Sequence, residues 1–477
     1  MRRPSDLRPS VRVLLAVGIT AYAAGFAALS ALRHEAFVTG RFDLGNMVQA
    51  VWSTAHGHPL KMTSLHGDQI SRLAAHVDPI LVLFAPLWWL WPSPNMLLVV
   101  QAAVIALGAI PVFLLARKHL ASPRAGLGFA LAYLLYPATG WLTLNEFHPV
   151  ALATPLLLFA FWYLDEDRLL PFTVFALAAS ACKEEIALVI AGFGIWYAVA
   201  HRSWAAGSTI ALAGFAWAAV AIGVVIPHYN AGAESDFYGR YNEVGGSASG
   251  ILKTTFTHPL RIAEVALSGR DLHYLLDLVA PLAALSLLAP LVLVAALPEL
   301  AINLLSSTTT QTSIHFHYTA GLIPTLLIAA IFGAKRLSRW TLPIAAGVVL
   351  AALIGNYRLG PIPGWRHVPG GQKFQATAGR VTVHDRIAQR ALRLIPDGAV
   401  VSATNTLGAH LSARRRVLSF PYLEDSKWVA ADETQPGYAD RYAPIPTATQ
   451  LAALRRNPEW QLVFEEDGIL VFRRTPA

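Results

Sequence analysis

The sequence predicts a polytopic α-helical membrane protein with a small C-terminal α/β domain, and three observations lead to this class. Of the 477 residues, 55% are hydrophobic and only 14% are charged, whereas soluble domains are nearer a quarter charged. The mean hydropathy is +0.47. After about residue 357 the long apolar runs end, and runs of strand length replace them. A large membrane domain followed by a small soluble domain accounts for all three observations.

Basic residues predict the orientation of the chain. Arg2, Arg3 and Arg8 precede the first apolar run, which is too long for the core of a signal peptide and fits an uncleaved anchor. The positive-inside rule places this end in the cytoplasm and the stretch after the first run on the outer face. If residues 79–91 lie in the outer interface rather than cross, the later basic breaks are all cytoplasmic, which gives about eleven crossings and an outer C-terminus. The predicted spans are 11–33, 95–116, 122–143, 149–164, 169–182, 186–200, 204–226, 275–289, 290–305, 318–334 and 340–357.

Several of these runs are too short to cross a bilayer alone. The pairs 169–182 with 186–200 and 275–289 with 290–305 predict broken helices, which are tolerated where they line a cavity inside the protein. The chain then divides into a transmembrane domain, residues 1–357, with a first outer loop at 34–94, and a soluble outer domain, residues 358–477.

The C-terminal residues alternate between helix and strand patterns. Thr447 is a good cap for a helix that extends to residue 456. The run of three arginines at 414–416 is most simply a solvated charge run, and no nucleic-acid motif accompanies the basic composition. The other predicted elements are a helix at 381–395, strands at 399–403 and 417–420, and a hairpin formed by 460–464 and 468–472.

We call the polar segments between apolar runs that are predicted to lie on the outer face the outer breaks. They contain the ionisable residues that are hardest to explain by packing. An ionisable group at membrane depth costs a few kcal/mol unless it is paired or hydrated, so such groups are functional candidates by default. These residues are Asp43, His56, His58, His66, Asp68, His76, Asp78, Glu146, His148, Lys183, Glu184, Glu185, His315 and His317.

Most of them also have a purely structural interpretation. Asp43 is a good N-cap for the amphipathic helix that follows it, and His148 can simply mark the start of the next helix. Residues 183–185 can form a buried salt bridge that holds a broken helix. His315 and His317 would share a face only on a strand, so in a helix they cannot hold one metal together. The clustering on one side of the membrane favours function, because the intervening apolar runs are almost free of charge.

A carboxylate near the membrane surface and close to a lysine suits group transfer. The carboxylate can take a proton from an acceptor hydroxyl, and general-base help of this kind supplies about 10²–10⁴ in rate. Lysine and arginine side chains nearby would stabilise a phosphate leaving group. An enzyme that uses a lipid-phosphate donor needs both on one side of the bilayer.

Four motifs carry a resemblance to a known family: FDLGNMVQAVWSTAHGHPL, HVDPILVLFAPLWWLWPSPNMLLVVQ, EFHPVAL and CKEEIAL. They resemble the DUF2079 family of bacterial membrane proteins, which in turn is similar to the GT-C superfamily of membrane glycosyltransferases. The resemblance implies a GT-C-like fold, a long first outer loop and a polyprenyl-phosphate sugar as donor.

The same resemblance implies roles for the outer-face residues. Asp43 corresponds to the loop acid that acts as catalytic base, and Glu146 to a second catalytic acid. Many GT-C enzymes carry paired acids in the first loop, whereas Leu44 follows Asp43 here, which leaves open whether a divalent metal ion takes part. The residues expected at the donor or substrate are His76, Asp78, His148, Lys183, Glu184, His315 and His317.

Three functions remain open at this stage. The first is a glycosyltransferase in a bacterial plasma membrane, with its site and C-terminal domain outside and a glycan, lipid or protein of the cell envelope as acceptor. The second is a transporter or flippase for a lipid-linked or polar substrate, although no internal repeat is found. The third is a metal-dependent hydrolase built from His76, Asp78, Glu146 and His148, although these residues lack a known metal-binding spacing.

Overall fold

The computed structural model describes residues 9–233, 236–373, 379–443 and 445–475. Within these residues, five helices are long and apolar enough to cross a membrane. They are Pro9–Glu35, Pro94–His119, Trp204–Tyr229, His317–Arg336 and Thr341–Leu359. The prediction of a helical membrane protein is confirmed, while the orientation and the count of about eleven crossings stay predictions.

Shorter apolar helices complete the membrane domain. Pro123–Leu135 and Pro137–Leu144 form one bent pair with an angle of 47°, and Pro137 at the break lacks the N–H that a continuous helix would need. The remaining apolar helices are Pro149–Asp165, Leu169–Ser180, Ile186–Ala200 and the Pro290–Leu304 stretch.

Small residues allow these helices to pack closely. A Cβ atom added at Gly192 would lie 2.3 Å from the Cα of Ala295, and one added at Gly214 would lie 2.5 Å from the carbonyl oxygen of Ala187. Membrane helices associate through such close approaches because lipid supplies little hydrophobic driving force between them.

The predicted broken span at 275–289 is not a continuous helix. The helix Gly269–Val279 ends in two short 3₁₀ turns, Ala280–Leu282 and Leu285–Leu288. Ala283 and Ala284 between them have φ angles of 52° and 54°, a left-handed conformation that interrupts any helix. Before this region, the loop after Tyr229 carries Asp236–Val244, Ala248–Thr257 and Pro259–Ala266.

The segment after the first helix begins with a π-helical turn, Arg41–Gly45, which continues into the helix Asn46–Ala55. Two short strands follow, β1 (Lys61–Thr63) and β2 (Gln69–Ser71), which pair antiparallel. The loop then forms the short turns Arg72–Ala74 and Pro79–Phe84 and the helix Ala85–Leu90.

The C-terminal part contains a five-stranded sheet. Its strands are β3 (Val401–Ala403), β4 (Val417–Ser419), β5 (Trp428–Asp432), β6 (Trp460–Glu466) and β7 (Ile469–Arg474). Their order is β4-β3-β5-β7-β6; β3 is parallel to β4 and β5, and the other pairs are antiparallel. The helices Val383–Leu392, Asn405–His410 and Thr447–Arg456 pack around it.

The sequence located most of these C-terminal elements and missed two. The β6–β7 hairpin and the helix Thr447–Arg456 lie where they were predicted, but Pro446 rather than Thr447 occupies the N-cap position. The strand β5 and the helix Asn405–His410 were not predicted. The three arginines are not a solvated run, because Arg414 is buried and donates to the carbonyl oxygens of Leu411 and Ala399.

Candidate functional site

Glu146 holds the turn that carries Asp43. Its carboxylate accepts hydrogen bonds from the backbone N–H of Gly40, at 3.1 Å to each oxygen, and from the N–H of Leu44 at 2.9 Å. These are orphan donors of the turn Arg41–Gly45, for which no capping side chain within the turn is found. The prediction that Asp43 caps the following helix is therefore wrong, because Glu146 supplies the cap from a distant part of the chain.

The backbone at Glu146 is itself unusual. Its φ angle is +50°, and a non-glycine residue in this region stores strain of about 1–3 kcal/mol that the surroundings must hold. Burial raises the pKa of Glu146 to about 8, and the charge of Asp43 adds to the rise. The hydrogen bonds from Leu44 and Gly40 oppose this rise.

Asp43 faces His148. The Oδ1 atom of Asp43 lies 3.4 Å from Nε2 of His148; the aspartate side chain is 43% exposed and the histidine side chain 7%. The Nδ1 atom of His148 lies 2.8 Å from the carbonyl oxygen of Asn145, and because a carbonyl can only accept, Nδ1 carries the hydrogen. The Nε2 atom is thus free to receive a proton, and within the described residues it has no hydrogen-bond partner.

His317 lies against the other side of His148. The two rings stack with centroids 3.8 Å apart and an interplanar angle of 20°. Tyr318 links His317 to two cations, because its ring lies 4.2 Å from that of His317, Nζ of Lys183 lies 5.9 Å from its ring centroid, and Arg240 donates to its hydroxyl at 3.3 Å. A site of this kind favours an anionic ligand.

Residues 183–185 form two separate ion pairs. Lys183 lies 2.6 Å from Glu185, and Glu184 lies 2.8 Å from His76 and accepts from the N–H of Val77. Burial alone would lower the pKa of Lys183, but the two glutamates raise it above its ordinary value. Burial alone would raise the pKa of Glu184, but His76 and Lys183 lower it to about 2. The lysine is therefore a permanent cation at this site.

Two of the predicted residues lie outside this centre. Asp78 forms a buried ion pair with Arg72 at 2.8 Å, and burial raises its pKa to about 6 even with the arginine beside it. His315 contacts Ser313 and the ring of Trp141, and burial lowers its pKa to about 4.

The four residues of the hydrolase hypothesis do not form one ligand set. His76 pairs with Glu184, Asp78 with Arg72, and Glu146 with backbone N–H groups. Among the residues that the structure describes, no group of three or more histidine, cysteine, aspartate and glutamate side chains is arranged to hold a metal ion.

Sequence reasoning missed two residues near the centre. Arg240 donates to the hydroxyl of Tyr318 at 3.3 Å and lies over the ring of Phe237, which stacks on His76. The only sequence signal was an arginine among aromatic residues in an outer break. Glu299 is buried in the Leu297–Leu304 helix and accepts from the N–H of Gly321, and a carboxylate within an apolar run was its signal.

Comparison with known proteins identifies the family. The chain matches the sequence profile of DUF2079, described as a predicted membrane protein, over residues 33–471, and it belongs to this family. No curated protein matches the chain. The structure of ArnT from Cupriavidus metallidurans, solved bound to undecaprenyl phosphate, is similar to this one with a TM-score of 0.54 and 12% sequence identity, covering 97% of each chain. Both resemblances noted from the sequence, to DUF2079 and to the GT-C fold, are confirmed.

Proposed function

We propose that this member of the DUF2079 family is a membrane glycosyltransferase, which transfers a sugar from a polyprenyl-phosphate-linked donor to an acceptor on the outer face. The pair of Asp43 and His148 carries the proposal, because a half-exposed carboxylate lies 3.4 Å from a buried imidazole nitrogen that has no hydrogen-bond partner within the described residues. The choice of donor is supported by the similar ArnT structure, which contains undecaprenyl phosphate.

In the proposed reaction Asp43 is the general base. It takes the proton of an acceptor hydroxyl as the hydroxyl oxygen bonds to the anomeric carbon of the sugar, and the bond from that carbon to the phosphate oxygen breaks. The electron pair leaves with the polyprenyl phosphate. The proton can pass from Asp43 to Nε2 of His148, whose hydrogen bond to Asn145 keeps that nitrogen directed at the carboxylate.

Glu146 has a different role from the one predicted. Its oxygens are occupied by the N–H groups of Gly40 and Leu44, so we assign it as a positioning residue for Asp43 rather than as a second catalytic acid. In this proposal, cationic side chains stabilise the leaving phosphate. Lys183 and Arg240, with the imidazoles of His76 and His317 near them, would neutralise the developing negative charge in a site from which water is largely excluded.

The proposal also includes the predicted orientation in the membrane and the predicted cellular location. The N-terminus is cytoplasmic, the site and the C-terminal domain are outside a bacterial plasma membrane, and the acceptor is a glycan, lipid or protein of the cell envelope. The charge distribution supports this arrangement: Lys118 pairs with Asp165 at the end of the helix Pro149–Asp165, which starts directly after Glu146 and His148. Lys335 and Arg336 likewise end the helical stretch that begins at His317.

The test is donor binding and consumption by the protein in lipid nanodiscs, with a panel of polyprenyl-phosphate sugars and a cell-envelope extract as acceptor. Asp43→Asn should bind the donor as wild type does but consume it at least about 100-fold more slowly, because the base is lost. Asp68→Asn is the matched control, since Asp68 is an exposed acid in the same loop.

Two outcomes would overturn the proposal. Either no donor in the panel binds to wild type, or Asp43→Asn consumes donor as fast as wild type does. If, in proteoliposomes, a labelled lipid-linked sugar crosses the bilayer without being consumed, the transporter hypothesis replaces the enzyme.

A further inference from the structure

Arg41, two residues before Asp43, is one of the largest fully buried side chains of the protein. Only 2% of the residue is exposed. Burial lowers the pKa of its guanidinium to about 10. Burying a cation is costly in free energy unless its hydrogen-bond donors are satisfied. The acceptors around Arg41 therefore determine why the side chain can be buried here.

The four acceptors of Arg41 among the described residues are neutral, and two of them belong to the C-terminal sheet. The carbonyl oxygen of Val417 accepts from Nε at 3.1 Å and from Nη2 at 2.9 Å, and the hydroxyl of Ser419 accepts from Nη1 at 2.6 Å. The carbonyl oxygens of Thr63 and Ser64 accept from Nη2 at 2.9 and 3.1 Å. One planar guanidinium thus joins the Asp43 turn, the β1–β2 hairpin and the edge strand β4, a geometry for which arginine is suited and lysine is not.

Further contacts bind the same turn to the same domain. The N–H of Phe42 donates to Oδ1 of Asn405 at 3.2 Å. The amide of Gln49 donates to the carbonyl oxygens of Arg414 and Arg415 at 3.1 and 3.0 Å. Asp43 therefore lies on a segment whose backbone and neighbouring side chains are held by residues more than 350 positions away.

The backbone of the turn lies directly against the helix Asn405–His410. A Cβ atom added at Gly40 would lie 2.6 Å from the amide nitrogen of Asn405, and one added at Gly45 would lie 2.5 Å from the hydroxyl oxygen of Ser412. These glycines leave no room for the turn to move toward the C-terminal domain. Glu146 holds its N–H groups from the membrane domain.

We infer that Arg41 is a positioning residue through which the C-terminal domain holds Asp43 in its reactive place, so that this domain is a structural part of the catalytic site. The inference rests on the proposed function for its catalytic consequence, while the contacts that carry it do not depend on that function. A misplacement of about 1 Å can cost about 100-fold in rate without affecting how the substrate binds.

The test compares Arg41→Met and Arg41→Lys with Arg455→Met in the full-length protein. Arg455 is the control because it is an arginine of the C-terminal domain that pairs with Glu433 and Glu465 of the same domain. Two readouts are needed: hydrogen exchange of the amides in residues 38–48, and the turnover and affinity of the donor.

We expect Arg41→Met to increase exchange in residues 38–48 and to lower donor turnover by about 100-fold with unchanged donor affinity. Arg41→Lys should recover part of both effects, because an ammonium can replace some but not all of the donors. Arg455→Met should leave the exchange of the turn and the turnover per folded molecule close to wild type, because its ion pairs lie within the C-terminal domain. Retained donor affinity shows that each variant is folded.

The inference is overturned if exchange in residues 38–48 is the same in Arg41→Met and in wild type, or if Arg455→Met affects the turn and the turnover as strongly as Arg41→Met does. The failure of the proposed function is a different result. In that case wild type consumes no donor, whereas the exchange measurement still decides whether Arg41 holds the turn.

Discussion

Replacing Glu146 by glutamine removes a buried ionisable group at constant side-chain size. Burial, with the help of Asp43, raises the pKa of Glu146 from its ordinary value of 4.5 to about 8. The folded protein therefore favours the protonated carboxyl over a range in which the unfolded chain is already ionised. The stability from this preference is complete below pH 4.5 and is lost as the pH rises to about 8, the opposite of the usual behaviour of a carboxylate.

The size of the effect follows from the two pKa values. One pKa unit corresponds to about 1.36 kcal/mol, so a rise from 4.5 to about 8 is a change of up to about 5 kcal/mol in the free energy of unfolding across this window. Glutamine does not titrate, so the variant should lack this decline. Its single carbonyl oxygen can still accept from the N–H of Gly40 or of Leu44, but not as well from both.

The other N–H group is then left without a good acceptor, which destabilises the observed position of the turn by about 1–3 kcal/mol. If the reaction needs that position, the same free energy corresponds to turnover about 5–150-fold slower. The assay is the thermal midpoint at pH 5, 6.5 and 8 in one detergent, together with donor turnover at about pH 9, where the wild-type carboxyl is ionised. Glu166→Gln is the control, because Glu166 pairs with Lys118 away from the site. If the midpoint of Glu146→Gln falls with pH as steeply as that of wild type, the buried charge of Glu146 is not the cause and the reasoning is refuted.

Three further predictions concern other parts of the molecule. Burial alone would lower the pKa of His384, but its two aspartate partners raise it. The contribution of this histidine to the free energy of unfolding should therefore be fully present below about pH 6.5 and be lost as the pH rises through the raised pKa. His384→Gln should remove this decline in thermal midpoint, whereas the exposed His58→Gln should retain it. Arg240→Met should weaken donor binding by about 10-fold, because one charge-assisted hydrogen bond is lost. Arg261, a more exposed arginine of the same loop, is the control, and equally weak donor binding by Arg261→Met would show that only net charge matters. Gly192→Val should prevent correct folding, measured as loss of the monodisperse peak in size-exclusion chromatography, because its Cβ would overlap the facing helix at 2.3 Å; a normal peak would contradict the packing argument.

The class of the protein and the centre of the site could be predicted because both depend on composition. Charge is so scarce in the apolar runs that each ionisable residue in an outer break stands out, and Asp43, His148 and Lys183 were found in this way. The helix Val383–Leu392 was predictable for a similar reason, since its apolar positions repeat with helical period and Thr382 begins a capping box.

The roles of Glu146 and Arg41 could not be predicted from the sequence. Glu146 binds backbone N–H groups 106 and 102 positions away, and a backbone group carries no residue type that a pattern could recognise. Arg41 donates to the backbone carbonyl oxygens of Val417, Thr63 and Ser64, which likewise carry no residue type that a pattern could recognise. The strand β5 was missed because WVAAD is short and mostly small, and it becomes a strand only between β3 and β7.

The distance along the chain between Arg41 and its partner Val417, 376 positions, also sets an order of events during biosynthesis. Arg41 leaves the ribosome early and enters the membrane with the first helix, long before the strand that accepts its hydrogen bonds has been made. Contacts between such distant segments form late because the intervening chain must first be placed. The turn that carries Asp43 is thus completed only after the strand β4 has been synthesised and folded.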